Sequence, residues 1–248
     1  MAEVKKPDSR KANRYSEDMI RECLLIMESG AVDELFEIIP RIGVLRDPRF
    51  YKPLIDLLAQ GDLKRKEFAA YAMGAIGDKA FLEPLKKAFN QASKSKRFGA
   101  QELQIAIIEA IGAIGDDAAV EFFLPILKSC CAEAGTGRRT SAGKSTKKMS
   151  KWIIESLGAI AQQGGQHSME ALVQLLDHHD PEIQAQALSE ISVAYWHRPN
   201  EIEDWLLEKI YALAGHHEAM VAESAMAALQ NLADVGCTRA EAYFCTEE

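Results

Sequence analysis

The stretch Lys66-Glu67-Phe68-Ala69-Ala70-Tyr71-Ala72-Met73-Gly74-Ala75-Ile76-Gly77-Asp78 decides the fold. Its apolar residues Phe68, Ala69, Ala72, Met73 and Ile76 recur at three- and four-residue spacing, the period of one helix face. Its last five residues return as Gly112-Ala113-Ile114-Gly115-Asp116, and a blurred copy follows at Gly158-Ala159-Ile160-Ala161. Each copy closes one helical pattern and is followed by a second apolar helix. The unit is therefore a helix pair that buries its apolar face by stacking on its neighbours. Strand signals, alternating β-branched runs bounded by hairpin turns, are missing from the sequence.

With the repeated pentapeptide as a ruler, the chain divides into successive pairs. One has helices at 51–60 and 63–76, the next at 81–92 and 101–114, and the third at 118–131 and 148–162. A fourth pair covers 168–194, turning at Asp177 to Pro181, and a fifth covers 202–233, turning at Gly215 to Glu218. Residues 17–29 and 32–44 form a degenerate opening pair. Ala69, Ala72, Ala106, Ala110 and Ala187 let neighbouring helix axes approach to about 8–10 Å, and Gly77 and Gly115 supply the positive φ that ends a helix. The expected organisation is a disordered basic segment over 1–15, a single repeat domain over 16–236 with a basic insertion at 132–147, and a tail over 237–248.

Composition narrows the function classes. A chain of 248 residues, 48% hydrophobic, can bury a large core without dividing into domains. Its N-terminus carries Lys5, Lys6, Arg10, Lys11 and Arg14 with no apolar stretch behind them, so no signal peptide or anchor is expected. No run approaches the roughly 20 apolar residues needed to span a bilayer. The net charge of −8 argues against a general nucleic-acid binder. Five cysteines, Cys23, Cys130, Cys131, Cys237 and Cys245, without CxxC spacing fit reduced thiols in a cytoplasmic protein.

Lys66 to Asp78, and the stretch Asp180-Pro181-Glu182-Ile183-Gln184-Ala185-Gln186-Ala187-Leu188, resemble HEAT repeats, specifically the short HEAT-like type first associated with phycobilisome lyases. The resemblance implies an all-α, α-α superhelix of about six helix pairs, an architecture that serves mostly as an extended binding surface. Deoxyhypusine hydroxylase shares this repeat and places His-Glu pairs seven and six residues before the first Gly of the motif, to hold iron. Those positions here read Glu67-Phe68, Ile105-Ala106 and Lys151-Trp152, so that chemistry is expected to be absent. Phycobilin lyase subunits resemble the chain only through the general repeat. HEAT-like DNA glycosylases differ from it in charge.

In stacked HEAT-like repeats the second helices line the concave side. Tyr71, Glu109 and Glu155 lie three residues before the first Gly of successive copies and should form a ladder, flanked by Glu67, Gln104, Lys151, Gln184 and Glu190. This mostly acidic groove suits a basic or helical peptide. Between Lys128 and Lys151 the charge reverses, with Arg138, Arg139, Lys144, Lys147 and Lys148 opposed only by Glu133. A basic loop there offers a second, electrostatic contact to an acidic or phosphate-rich partner. Gly143-Lys144-Ser145 is no phosphate loop, because five residues separate Gly137 from Gly143 where that motif needs four, and no strand precedes it.

Two turns repeat a different chemistry, His178-His179-Asp180 and His216-His217-Glu218. Imidazoles beside carboxylates are suitable zinc ligands, but exposed turns lack the groups that orient ligands, and a duplicated polar turn is the expected reading. Tyr195-Trp196-His197-Arg198-Pro199 and nearby Trp205 form an aromatic patch; tryptophan is a frequent interface anchor, but here the patch is expected to close the core. The function expected from the sequence is a cytoplasmic, non-catalytic scaffold for a protein or peptide partner, without cofactor, metal or membrane. A lyase-like chromophore chaperone or a metal-dependent enzyme subunit is the alternative.

Overall fold

Every regular element among the described residues is a helix. The computed structural model describes residues 9–95, 98–134 and 141–244, except for the side chains of 9–15, 132–134 and 141–146. The chain forms two compact units that divide inside one helix, between Ala110 and Ile111.

Unit 1 contains α1 (Ser9–Ser29), α2 (Val32–Glu37), α3 (Ile39–Leu45), α4 (Tyr51–Gln60), α5 (Leu63–Ile76), α6 (Leu82–Ala92) and most of α7 (Ala100–Ile114). Helix α1 begins at Ser9, so the segment expected to be disordered through residue 15 is helical from there on. The second opening helix is broken between α2 and α3. Pro40, near the start of α3, lacks an N–H, and its ring crowds the carbonyl four residues earlier. Phe50, Leu54, Phe68, Met73, Phe81 and Leu85 form a fully buried core.

Unit 2 holds the end of α7, then α8 (Val120–Ala134), α9 (Ser141–Gln162), α10 (Gln166–Leu175), α11 (Pro181–Ala194), α12 (Asp204–Leu213), α13 (Ala219–Asp234) and α14 (Thr238–Glu241). Each first helix packs on its second helix, and α9, α11 and α13 also pack on one another in a row. The fold class is therefore all-α, of the α-α superhelix type. Phe123, Ile153, Leu157, Leu188, Ile191 and Leu229 fill the core of this unit. The expected tail is partly built in, because α14 buries Cys237 and Ala240 and Arg239 donates to the Asn200 carbonyl at 3.0 Å.

The Gly-Asp dipeptide explains the repeat. Gly77, at φ 72°, ends α5 in a left-handed conformation that a Cβ would disfavour. Asp78 then accepts the Ala80 N–H at 2.8 Å and the Tyr51 hydroxyl at 2.5 Å, opening the 3-10 turn before α6. The Tyr51 bond holds the Asp78 carboxyl below its usual range, and the same contact pushes the Tyr51 phenol up to about 12. Gly115 and Asp116 repeat both roles, with φ 75° and a bond from the Ala118 N–H at 2.9 Å.

The third copy has Ala161 in place of the helix-ending Gly, and α9 runs on to Gln162 before the chain turns at Gly164, φ 97°. No Asp follows to cap α10. Asp117 supplies that cap from the preceding repeat, accepting the N–H groups of His167 at 2.8 Å and Ser168 at 2.9 Å. Its Oδ2 also lies 2.6 Å from His167 Nδ1. That contact raises the His167 pKa.

Candidate partner-binding site

The residues expected to form one ladder occupy two different environments. In unit 1, the Tyr71 hydroxyl donates to Glu109 Oε2 at 2.9 Å, and the Tyr71 ring packs edge-on against Phe36, with centroids 6.3 Å apart. Burial, then the bond to Glu109, raises the Tyr71 phenol well above its ordinary range. Tyr71 is thus spent on its neighbour. Glu67, expected on the exposed face, is only 6% exposed, and Lys64 Nζ covers its carboxylate at 2.7 Å. It faces the helix packing because Phe68 and Ala69, beside it, are fully buried and fix the orientation of α5. Gln104 is half-buried on α7.

In unit 2 the corresponding face opens into a cavity of about 460 Å³. Lys147, Lys151 and Glu155 of α9 stand on one side, and Glu182, Gln186 and Glu190 of α11 on the other. Lys147 Nζ is 3.0 Å from Glu182 Oε2, and Lys151 Nζ is 3.6 Å from Glu155 Oε1. The Gln186 side-chain amide donates to the Lys151 carbonyl at 2.9 Å and ties the two helices together. Both ion pairs are largely exposed and contribute little to stability. Their side chains can re-pair with an incoming ligand.

Glu190 is the unusual member of this lining. In this register the first Gly of the first two copies faces a small residue on the next second helix. A Cβ on Gly74 would lie 2.9 Å from the Ala110 Cα, and one on Gly112 would lie 2.7 Å from the Ser156 Cβ. At Gly158 the facing residue is Glu190, whose Cβ would be 2.9 Å away. The missing side chain at Gly158 makes room for the Glu190 carboxyl. Burial, then the nearby Glu155 carboxylate, pushes the Glu190 pKa up to about 7, with Lys151 acting in the opposite direction.

Gln184 is not in the groove. It is 8% exposed, and its amide donates to the Leu176 carbonyl at 2.8 Å, tying α11 to the end of α10. Its neighbour Ile183 is buried as well, so this part of α11 faces the core. The cavity also has walls that the repeat ruler did not point to, namely Cys131, Ser150, Ser189 and Met220. Burial, then the Asp180 carboxylate, raises the Cys131 thiol. Ser150 and Ser189 lie three residues after the lining residues Lys147 and Gln186, so each pair shares a helix face.

The expected basic loop is mostly helix. Helices α8 and α9 reach Ala134 and Ser141, so most of 132–147 continues them. Lys147 and Lys148 are exposed on α9, with Lys147 in the cavity lining. Arg138 and Arg139 lie outside the described residues, as does the Lys144 side chain.

In the histidine turns a ring nitrogen holds the backbone of the residue that opens the next helix. His178 Nδ1 accepts the Asp180 N–H at 3.0 Å, and His216 Nδ1 accepts the Glu218 N–H at 3.2 Å. His179 stacks on the His178 ring and His217 lies tilted against the His216 ring, each at a centroid distance of 4.3 Å. Burial, then His179, lowers the His178 pKa and keeps Nδ1 available as an acceptor. Among the described residues, no three His, Cys, Asp or Glu side chains gather where one ion could be held.

Trp196 and Trp205, expected in the core, are 49% and 50% exposed. The core positions near Trp205 are taken by Leu206, Leu207 and Ile210, and Trp205 falls off that stripe.

No family model matches the chain, and no curated protein matches it. It is similar to an engineered protein of known crystal structure, a structural-genomics target, at 19% identity. The likeness covers 88% of this chain and 98% of that one, with a TM-score of 0.44. No helix among the described residues is long and apolar enough to cross a membrane.

Proposed function

We propose that the protein is a non-catalytic adaptor that holds a protein partner in the α9–α11 groove. The observation that carries this reading is the 460 Å³ cavity, where exposed side chains of both charges surround a carboxyl crowded against its neighbour. Such a lining supplies specificity through charge pairing and rejects a mismatched partner. The resemblance to short HEAT-like repeats supports a binding role, since this architecture presents extended surfaces. A cytoplasmic setting fits the thiols Cys23, Cys131 and Cys237. The basic residues Lys147 and Lys148 would add an electrostatic contact beside the groove.

A photo-crosslinking amino acid at Ser189 tests the reading, with protein expressed in its native host and adducts identified by mass spectrometry. The expected result is a defined protein adduct that disappears when Lys151→Glu and Glu155→Arg reverse the groove charges. Adducts that persist unchanged after the reversal would overturn it.

A further inference from the structure

A second cavity, of about 550 Å³, opens in unit 2 beside the turn between α9 and α10 and the start of α12. Met169 and Val173 of α10 and the buried Leu206 give it an apolar floor. Trp205, half exposed, and three carboxylates, Glu170, Glu201 and Glu203, stand in the lining with Arg198 and Tyr195. The Trp205 Nε1–H donates to the Glu203 carboxylate, which orients the indole and keeps an anion beside it.

We propose that this cavity receives a lysine or arginine side chain from a partner protein. The methylene stem of such a side chain would lie along Met169, Val173 and Leu206 while its charged end stays near water. An ammonium or guanidinium at the rim gains from the indole face and from the carboxylates together. Arg198 is the only cation in the lining, and both terminal nitrogens of its guanidinium are already engaged, although its buried Nε has no hydrogen-bond partner. Its Nη2 donates to the Ala161 carbonyl at the end of α9 at 2.7 Å, its Nη1 is 3.6 Å from Glu201, and its carbon lies 5.8 Å above the Tyr195 ring. The Glu170 and Glu203 charges therefore keep no internal cation among the lining residues. The same carboxylates repel phosphates, which argues against a nucleic acid or an anionic lipid surface as the occupant. The rim is well suited to hold its shape, because Arg198 ties the loop after α11 to α9 and Glu203 ties to Trp205.

The inference rests on the adaptor reading only for the class of partner, and it concerns a separate surface. The test uses full-length protein carrying Trp152→Phe and Trp196→Phe, so that Trp205 is the lone indole. Its emission is titrated with the acetylated, amidated peptide Leu-Lys-Leu and with versions carrying arginine or norleucine in place of lysine. Saturable shifts are expected for the lysine and arginine peptides, with norleucine about tenfold weaker. Glu170→Gln, on the exposed side of α10, and Glu203→Gln should each weaken the lysine peptide about threefold with unchanged far-ultraviolet dichroism. Glu190→Arg, in the groove, should leave the titration unchanged, which separates a failure here from a failure of the groove.

Equal binding of norleucine and lysine, or no saturable shift with lysine or arginine, would overturn the proposal. So would binding of free butylammonium as tight as that of the peptides, because the cavity would then be a small-amine site.

Discussion

Tyr71 in unit 1 and Glu190 in unit 2 both belong to second helices of the repeat, yet one is closed and the other open. Tyr71 is satisfied by Glu109 and wedged against Phe36. Glu190 meets Glu155, another carboxylate, in a cavity. The difference follows from what faces the first Gly of the motif. Gly74 meets Ala110, so the backbones close up, whereas Gly158 meets Glu190 and leaves space for a charged side chain. A repeat protein can thus open a cavity by placing one large polar residue where its other copies keep a small one.

The largest expected effect breaks the closed half of this contrast. Gly74→Val would push a Cβ to within 2.9 Å of the Ala110 Cα, backbone that has no room to move, and should cost about 3 kcal/mol in urea unfolding. Gly158→Val meets the Glu190 side chain rather than backbone; the carboxyl can swing outward but the Glu190 Cβ, also 2.9 Å away, cannot, so the loss should be smaller, about 2 kcal/mol. Equal losses would mean that the facing residue does not decide the spacing.

Glu190→Gln sharpens the open half. A carboxyl raised from 4.5 to about 7 holds its proton more tightly folded than unfolded, so its contribution to stability falls as pH rises from about 4.5 through 7. The amide carries no such penalty. The variant should gain about 1–2 kcal/mol over the parent at pH 8, after discounting for partial exposure, and nothing near pH 4. A gain of the same size at both pH values would place the effect in packing.

Tyr71→Phe is expected to cost about 1 kcal/mol, because Glu109 loses its neutral donor and must recruit water. The loss should be flat between pH 6 and 9, since the Tyr71 phenol stays protonated throughout. A double-mutant cycle with Glu109→Gln measures the coupling directly.

Helix positions were legible in the sequence because the Gly-Asp dipeptide marks both an end and a beginning. Helices α4 and α5 fall at 51–60 and 63–76, as the spacing predicts. The site was legible only in part. Spacing put Lys151 and Glu155 on one face of α9, where both line the cavity, but it could not show that Glu67 and Gln184 turn inward with Phe68 and Ile183. Orientation is set by the apolar residues on either side, and the two polar side chains were satisfied by Lys64 and the Leu176 carbonyl. The cap that Asp117 gives to α10 was invisible for another reason. It joins residues fifty positions apart, where no local motif exists.

The smallest effect concerns a copy of the motif that the sequence disguises. Gly43-Val44-Leu45-Arg46-Asp47 occupies the place of Gly74-Ala75-Ile76-Gly77-Asp78. A Cβ on Gly43 would meet the Ala75 Cβ at 3.0 Å, and Asp47 accepts the Arg49 N–H at 2.9 Å as the other motif aspartates cap their turns. Arg46 stands where the others have Gly, and it still adopts the left-handed conformation, φ 46°. A residue with a Cβ is strained there, although Arg46 Nε recovers part of the cost by donating to the Gly43 carbonyl at 3.1 Å. Arg46→Gly relieves the strain, loses that exposed bond and makes the unfolded chain more flexible. The net should be a gain of about 0.5 kcal/mol, seen as a higher urea midpoint with an unchanged slope. Arg46→Ala keeps the Cβ without the bond and should fall below the parent. If both variants lose stability equally, the guanidinium bond outweighs the backbone strain at this turn.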